Sequence, residues 1–165
     1  MESDYQSLFQ VRLANYDDIP AIMNITREAF VEYQQMSGVE NLAALEESYN
    51  DVKKDIDTKV VLLALSDGEP VGSVRVEVFP DKTAYLSRFA VKVTSQNNGI
   101  GKSIMNLVDK IMVKKGVTQI QLHTGSKITS LIRFYYGRGF YIDSTDKSRG
   151  YVRALLIKEY QKKDC

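Results

Sequence analysis

A single cysteine in 165 residues, Cys165 at the very end, leaves no partner for an internal disulfide. The fold must therefore rest on its apolar core, and a reducing compartment is expected. With nothing after Cys165, a prenylation box is not expected either. Long apolar runs are missing: Val60 to Leu65 is the longest, far below the ~20 residues that a membrane-spanning helix requires. Glu2 and Asp4 stand where a secretory leader would be basic. The expectation is a cytoplasmic protein with no membrane partner. Only three prolines and ten glycines, beside 44% hydrophobic and 26% charged residues, exclude collagen-like and disordered chains. A chain of this length buries roughly 70% of the surface it exposes when unfolded, so one domain over residues 1–165 can hold a core unaided.

Net charge is also small, but it hides a division. Residues 1–57 carry twelve acids against Arg12, Arg27, Lys53 and Lys54, a sum of −8, and the remainder carries eighteen basic residues against nine acids, a sum of +9. Such halves suit oppositely charged ligands, although two solvated faces would give the same arithmetic.

Periodicity orders the elements. A strand is expected at Gln10–Ala14, followed by a helix with Asp17 or Asp18 as N-cap, Pro20 in its first turn, and Ile19, Ile22, Met23, Ala29, Phe30 and Tyr33 on one face. A looser helix runs from Leu42 to about Ile56. Val60–Leu65 reads as a strand buried on both faces, and Val71–Val78 as one in which Val74, Val76 and Val78 alternate with Arg75 and Glu77. The strand Thr83–Val93 leads directly into Gln96-Asn97-Asn98-Gly99-Ile100-Gly101 and a helix bearing Ile104, Leu107, Val108 and Ile111 on one face, ended by Gly116. Then come a strand at Thr118–His123, a helix at Lys127–Arg138 and two strands, the last over Gly150–Lys158. This order predicts an α/β fold, a mixed, mostly antiparallel sheet of six to seven strands with helices on both faces.

The glycine turn carries the chemistry. A helix N-terminus leaves its first N–H groups unpaired and partly positive, and Gly99 and Gly101 would let a pyrophosphate reach that backbone. A plain tight turn is the simpler alternative. A dinucleotide fingerprint needs a third glycine where Ile104 stands. A P-loop would match Gly101-Lys102-Ser103, but it requires glycine at Gln96.

Gln96 to Gly101 resembles, at every fixed position, the coenzyme A cradle of the GNAT superfamily of N-acetyltransferases: Gln or Arg, two free positions, Gly, one free position, Gly or Ala. Phe134-Tyr135-Tyr136-Gly137-Arg138-Gly139-Phe140 resembles the family's Phe-Tyr, three residues, Gly-Phe ending. The resemblance implies a sheet splayed between strands four and five, with residues 83–142 as the acyl-CoA-binding core and 1–57 on the acceptor side. It implies acetyl-CoA as acyl donor, main-chain contacts to pantetheine from Phe89, Ala90 and Val91, and a pyrophosphate site over Gln96, Asn97, Asn98, Gly99, Ile100, Gly101, Lys102 and Ser103. Tyr135 aligns with the general-acid tyrosine, with Tyr136 as its rival. The carboxylate base that some members carry on the fourth strand has no counterpart in Thr83–Val93, which leaves Glu77, His123 or water. Ile128 and Leu131 replace the usual Asn and Ala, and Lys92 and Val93 the usual proline.

The family layout places Glu28, Glu32, Glu40, Glu46 and Glu47 beside the incoming acceptor, so a small cationic amine is expected, attacking directly in a ternary complex. A protein N-terminus as acceptor and a non-catalytic acyl-CoA-sensing module are the alternatives. Arg138 to Ile142 resembles the start of an RRM motif but breaks at Tyr141, so no nucleic-acid partner is expected. No metal is expected, and a homodimer is left open.

Overall fold

The computed structural model describes residues 9–39, 42–96 and 98–161; Glu2, Asp4, Glu40, Asn97 and Cys165 lie outside the described residues. Seven strands, β1 (Phe9–Leu13), β2 (Val60–Ser66), β3 (Glu69–Val78), β4 (Thr83–Val91), β5 (Gln119–Gly125), β6 (Tyr141–Asp146) and β7 (Arg153–Glu159), form one sheet in the order β1-β2-β3-β4-β5-β7-β6. Every pairing is antiparallel except β4 with β5. Helices α1 (Ile19–Ser37) and α2 (Tyr49–Thr58) cover one face, and α3 (Ile100–Lys114) and α4 (Thr129–Gly137) the other.

Strand alternation divides the core in two. Val61 and Leu63 of β2 meet Ile19, Ile22, Ile25 and Val52 of the first two helices, while Leu62, Val74, Val76, Leu86, Ile120 and Leu122 meet Ile104, Met105, Val108 and Met112 of α3. Apolar residues therefore occupy both faces of the central strands. Gly116, at φ 74, sits in the left-handed region just past α3, as its place in the sequence predicts.

Three expectations are corrected. The first cap falls earlier: Asn15 accepts the Asp17 N–H at 2.9 Å and starts a 3-10 turn over Tyr16–Asp18. Asp18 makes no side-chain cap for α1 and instead takes the Asn15 N–H and both outer nitrogens of Arg12. The single helix expected from Leu42 divides into a 3-10 turn, Ala43–Leu45, and α2, which begins only where Ser48 and Asp51 form a capping box. Finally, Arg75 is no solvated partner of the β3 valines. It is 0% exposed, because α1 and α2 cover that side of β3. A guanidinium so placed needs carboxylates, and Nη1 and Nη2 donate to Glu47 at 2.5 and 3.0 Å, with Nη1 also donating to Asp55 at 2.9 Å.

Candidate active site

The parallel pair β4–β5 is brief. Thr83, Ala84 and Tyr85 pair with Gln119, Ile120 and Gln121, and beyond that point β5 continues to Gly125 against β7 alone. The main-chain groups of β4 that face the gap thus have no ladder partner on β5 and are open to pair with a ligand. A bulge reshapes β4 at the same place: Ser73 pairs with Ala90 but Arg75 with Ser87, so Arg88 and Phe89 together oppose Val74. Arg88 adopts φ 54, a left-handed conformation that costs a non-glycine residue about 1 kcal/mol. The bulge turns the Phe89 ring toward α4, where it stacks on Phe134 at 5.4 Å and 18°, and leaves Ala90 packed on the α1 side.

The glycine turn lies beside this opening. Gly99 has φ 80, and no side chain caps α3, so the first amides of the helix have no intrahelical acceptor. A Cβ on Gly101 would come within 3.1 Å of Phe89 Cζ and 3.3 Å of Phe134 Cζ, so the two rings leave little room there for a side chain. The Gln96 amide donates to Glu32 at 3.2 Å and to the Val91 carbonyl at 3.3 Å, tying the turn to α1 and β4. These elements enclose a groove of about 670 Å³.

Of the residues expected to bind the acyl donor, Phe89, Ala90, Val91, Gln96, Gly99, Gly101 and Lys102 line the groove, joined by Arg133 and Arg138 of the α4 segment. Two have other engagements. Ile100 is 3% exposed and turned into the core, which leaves its amide as its only free asset, and the Ser103 N–H is bonded to the Gly99 carbonyl at 3.0 Å. Asn98 is exposed outside the groove lining.

Tyr135 lies beneath the groove. It is 5% exposed and packed edge-on against Phe89, Phe134 and Phe140. Burial pushes its pKa well up, so the phenol keeps its proton at neutral pH. Tyr136 is 51% exposed, as its different helical angle predicts.

At the vertex of the opening, Tyr85 Oη and His123 Nδ1 are 2.6 Å apart. Burial, then Arg153 and Arg149, lower the His123 pKa, which leaves its imidazole neutral and able to take a proton. Glu77, the other candidate, is 40% exposed and lies 4.0 Å from Lys59. Tyr33 closes the far end of the opening: its hydroxyl accepts the Gly125 N–H at 2.8 Å and lies 3.3 Å from the Tyr151 hydroxyl. Neither Tyr85 nor Tyr33 stands out in the sequence. Tyr85 lies on the β4 face opposite the buried Ala84 and Leu86, where alternation alone gives it no role.

Of the acids expected on the acceptor side, Glu32 lines the groove and Glu40 lies outside the described residues. Glu47 is held by Arg75 and lies 3.5 Å from Arg88 Nε, so its charge is engaged inside the fold. Glu28 accepts the Val93 N–H and Glu32 the Gln96 amide, both toward the glycine turn. Glu46 is exposed after the 3-10 turn.

The sequence model described as the Acetyltransferase (GNAT) family matches residues 19–140. The chain belongs to this family of acetyltransferases. It is 24% identical over 149 residues to a spermidine N(1)-acetyltransferase of Thermoplasma acidophilum, an alignment covering 84% of this chain and 92% of the relative. Its fold is similar to that of a PaiA N-acetyltransferase from Thermoplasma acidophilum solved in complex with coenzyme A, with TM-score 0.81, 22% identity and coverage of 93% and 99% of the two chains. It is also similar to the ribosomal-protein-S18-alanine N-acetyltransferase of Escherichia coli, with TM-score 0.76, 13% identity and coverage of 95% and 97%. Among the described residues, no helix is long and apolar enough to cross a membrane and no group of side chains is arranged to hold a metal ion.

Proposed function

We propose that the protein transfers the acetyl group of acetyl-CoA to an amine by direct attack in a ternary complex. The observation that carries this reading is the juxtaposition of unpaired β4 main chain at the sheet opening with an uncapped, glycine-entered helix N-terminus. The tight packing of Phe89 and Phe134 on Gly101 supports a cradle that a ligand approaches closely. These residues fit coenzyme A. The amides of Gly99, Ile100, Gly101 and Lys102 would hold the pyrophosphate, with the Lys102 ammonium adding charge, and the main chain of Phe89 to Val91 would align the pantetheine arm.

The donor supplies an acetyl thioester already activated toward amines. One β4 N–H at the bulge polarises the thioester carbonyl, a single-donor oxyanion site. The acceptor nitrogen forms the new C–N bond as the C–S bond breaks. His123, directly or through Tyr85, takes the proton that the amine gives up, and Tyr135 donates one to the departing sulfur and is reprotonated from solvent. His123 is preferred over Glu77 because it sits at the sheet opening and is neutral.

The printed names of the relatives offer spermidine and a protein alanine as acceptors, and the amine is what they share. A cationic amine would meet Glu32 in the groove, while Glu47 is already engaged. An acyl-CoA-sensing role would have no use for a buried phenol at the thioester or a neutral histidine at the opening. Thiol release from acetyl-CoA, measured across polyamines, amino acids and N-terminal peptides, tests the proposal: turnover with at least one amine is expected, and none with any would leave a binding module.

A further inference from the structure

A second cavity, of about 450 Å³, adjoins the groove. It lies between the end of α1 (Met36, Ser37), the β5–α4 connection (Gly125, Lys127) and the β6–β7 connection (Lys147, Tyr151). Met36 lines both cavities, and the amide of Gly125 is held by the hydroxyl of Tyr33, itself a wall of the groove, so the two spaces share a border at the end of β5. An acceptor seated here would have its amine at the sheet opening and its remainder in the second cavity.

Among the described residues, the charge lining this cavity has one sign: Lys127 and Lys147 line it and no described carboxylate does. Arg149, in the same connection, and both lysines have no carboxylate within ion-pair distance among the described residues. The nearby acid, Asp146, is engaged: one oxygen accepts the Ser148 N–H and hydroxyl at 3.1 and 2.6 Å, and the other lies 3.7 Å from Arg153. Of the described carboxylates in the first third of the chain, Glu47 is held by Arg75, and Glu32 lines the groove and not this cavity. A second ammonium on the acceptor would face like charge here, whereas an anionic group would be drawn in.

We infer that this cavity binds an anionic group on the acceptor, so that the substrate is an amine that also carries a carboxylate. The inference rests on the acetyl-transfer reading above and adds the acceptor's chemical class. The test measures thiol release with γ-aminobutyrate, its amide and putrescine, and with alanine and alaninamide, for the wild type and a Lys127→Glu/Lys147→Glu variant. Both lysines are exposed, so the variant should fold. The wild type should favour each carboxylate over its amide and over putrescine by about tenfold in kcat/KM, the scale of two partly screened charge contacts. The variant should lose that preference through KM, with acetyl-CoA affinity by calorimetry unchanged. Equal or better use of the amides or putrescine by the wild type would overturn the inference and leave acetyl transfer standing. A carboxylate preference untouched by the variant would also overturn it. Failure of every amine, N-terminal peptides included, would overturn acetyl transfer and this inference together.

Discussion

Glu47→Gln separates a structural carboxylate from a substrate-binding one. Arg75 is 0% exposed and has two carboxylates, Glu47 through two nitrogens and Asp55 through one. Removing one member of a buried ion pair costs about 3–5 kcal/mol, because a charge is left without a partner in a poorly solvating interior. Here Asp55 remains and the glutamine can still accept one hydrogen bond, so the lower end applies, about 3 kcal/mol. For a chain of this size each kcal/mol moves Tm by about 2–4 °C, which gives a fall of roughly 6–12 °C. Circular dichroism melts at pH 7 would read it. Replacing the pair by apolar residues, Glu47→Met with Arg75→Met, should recover most of the loss, because the desolvation of both charges disappears with them. At a temperature where Glu47→Gln is folded, kcat/KM for putrescine should stay within about twofold of wild type, since the Glu47 charge is held by Arg75 inside the fold and not by the acceptor. A variant that melts like wild type but loses putrescine turnover selectively would refute the reasoning and return Glu47 to the acceptor site.

His123→Gln should lower kcat by about 10²-fold, the lower range of general-base effects. In the wild type, burial and the arginines lower the His123 pKa, so rates should hold through neutral pH and fall only where acid protonates the imidazole, below its ordinary range; His123→Gln should lack that acid limb, and a variant with an unchanged pH profile would remove His123 as base. Gly101→Ala places a methyl 3.1 Å from Phe89 Cζ, so the ring must give way and the helix amides shift: acetyl-CoA Kd should rise about tenfold by calorimetry, on the scale of one charge-assisted hydrogen bond. Gly99→Glu, which puts a like charge at the pyrophosphate and a side chain at φ 80, should weaken binding further, and affinity equal to wild type in both variants would dismiss the cradle.

Local patterns made the fold's catalytic half legible. The strand, glycine turn and helix over residues 83–116 declare themselves through consecutive residues, and the structure keeps them in that order as β4 and α3. What depends on distant residues was hidden. The alternation of β3 marks Arg75 as outward, and only the arrival of α1 and α2 on that face makes it buried and ion-paired. Tyr85 and His123 are 38 positions apart and meet because the parallel pairing ends at Tyr85 and Gln121, just before His123. Charge arithmetic placed acids in the first third correctly but could not show that Arg75 and the glycine turn engage them. The bulge at Arg88 was equally invisible, since nothing in Ser87-Arg88-Phe89 marks a left-handed residue.

Tyr135→Phe tests the central claim most directly, because the substitution removes one oxygen and leaves the ring packed among Phe89, Phe134 and Phe140. Thiol release with the best amine should fall roughly 10²- to 10⁴-fold in kcat, while the Kd of acetyl-CoA and the Tm stay near wild type and Tyr136→Phe has a mild effect. A Tyr135→Phe enzyme that turns over at the wild-type rate would contradict the account, showing that the departing sulfur receives its proton from elsewhere.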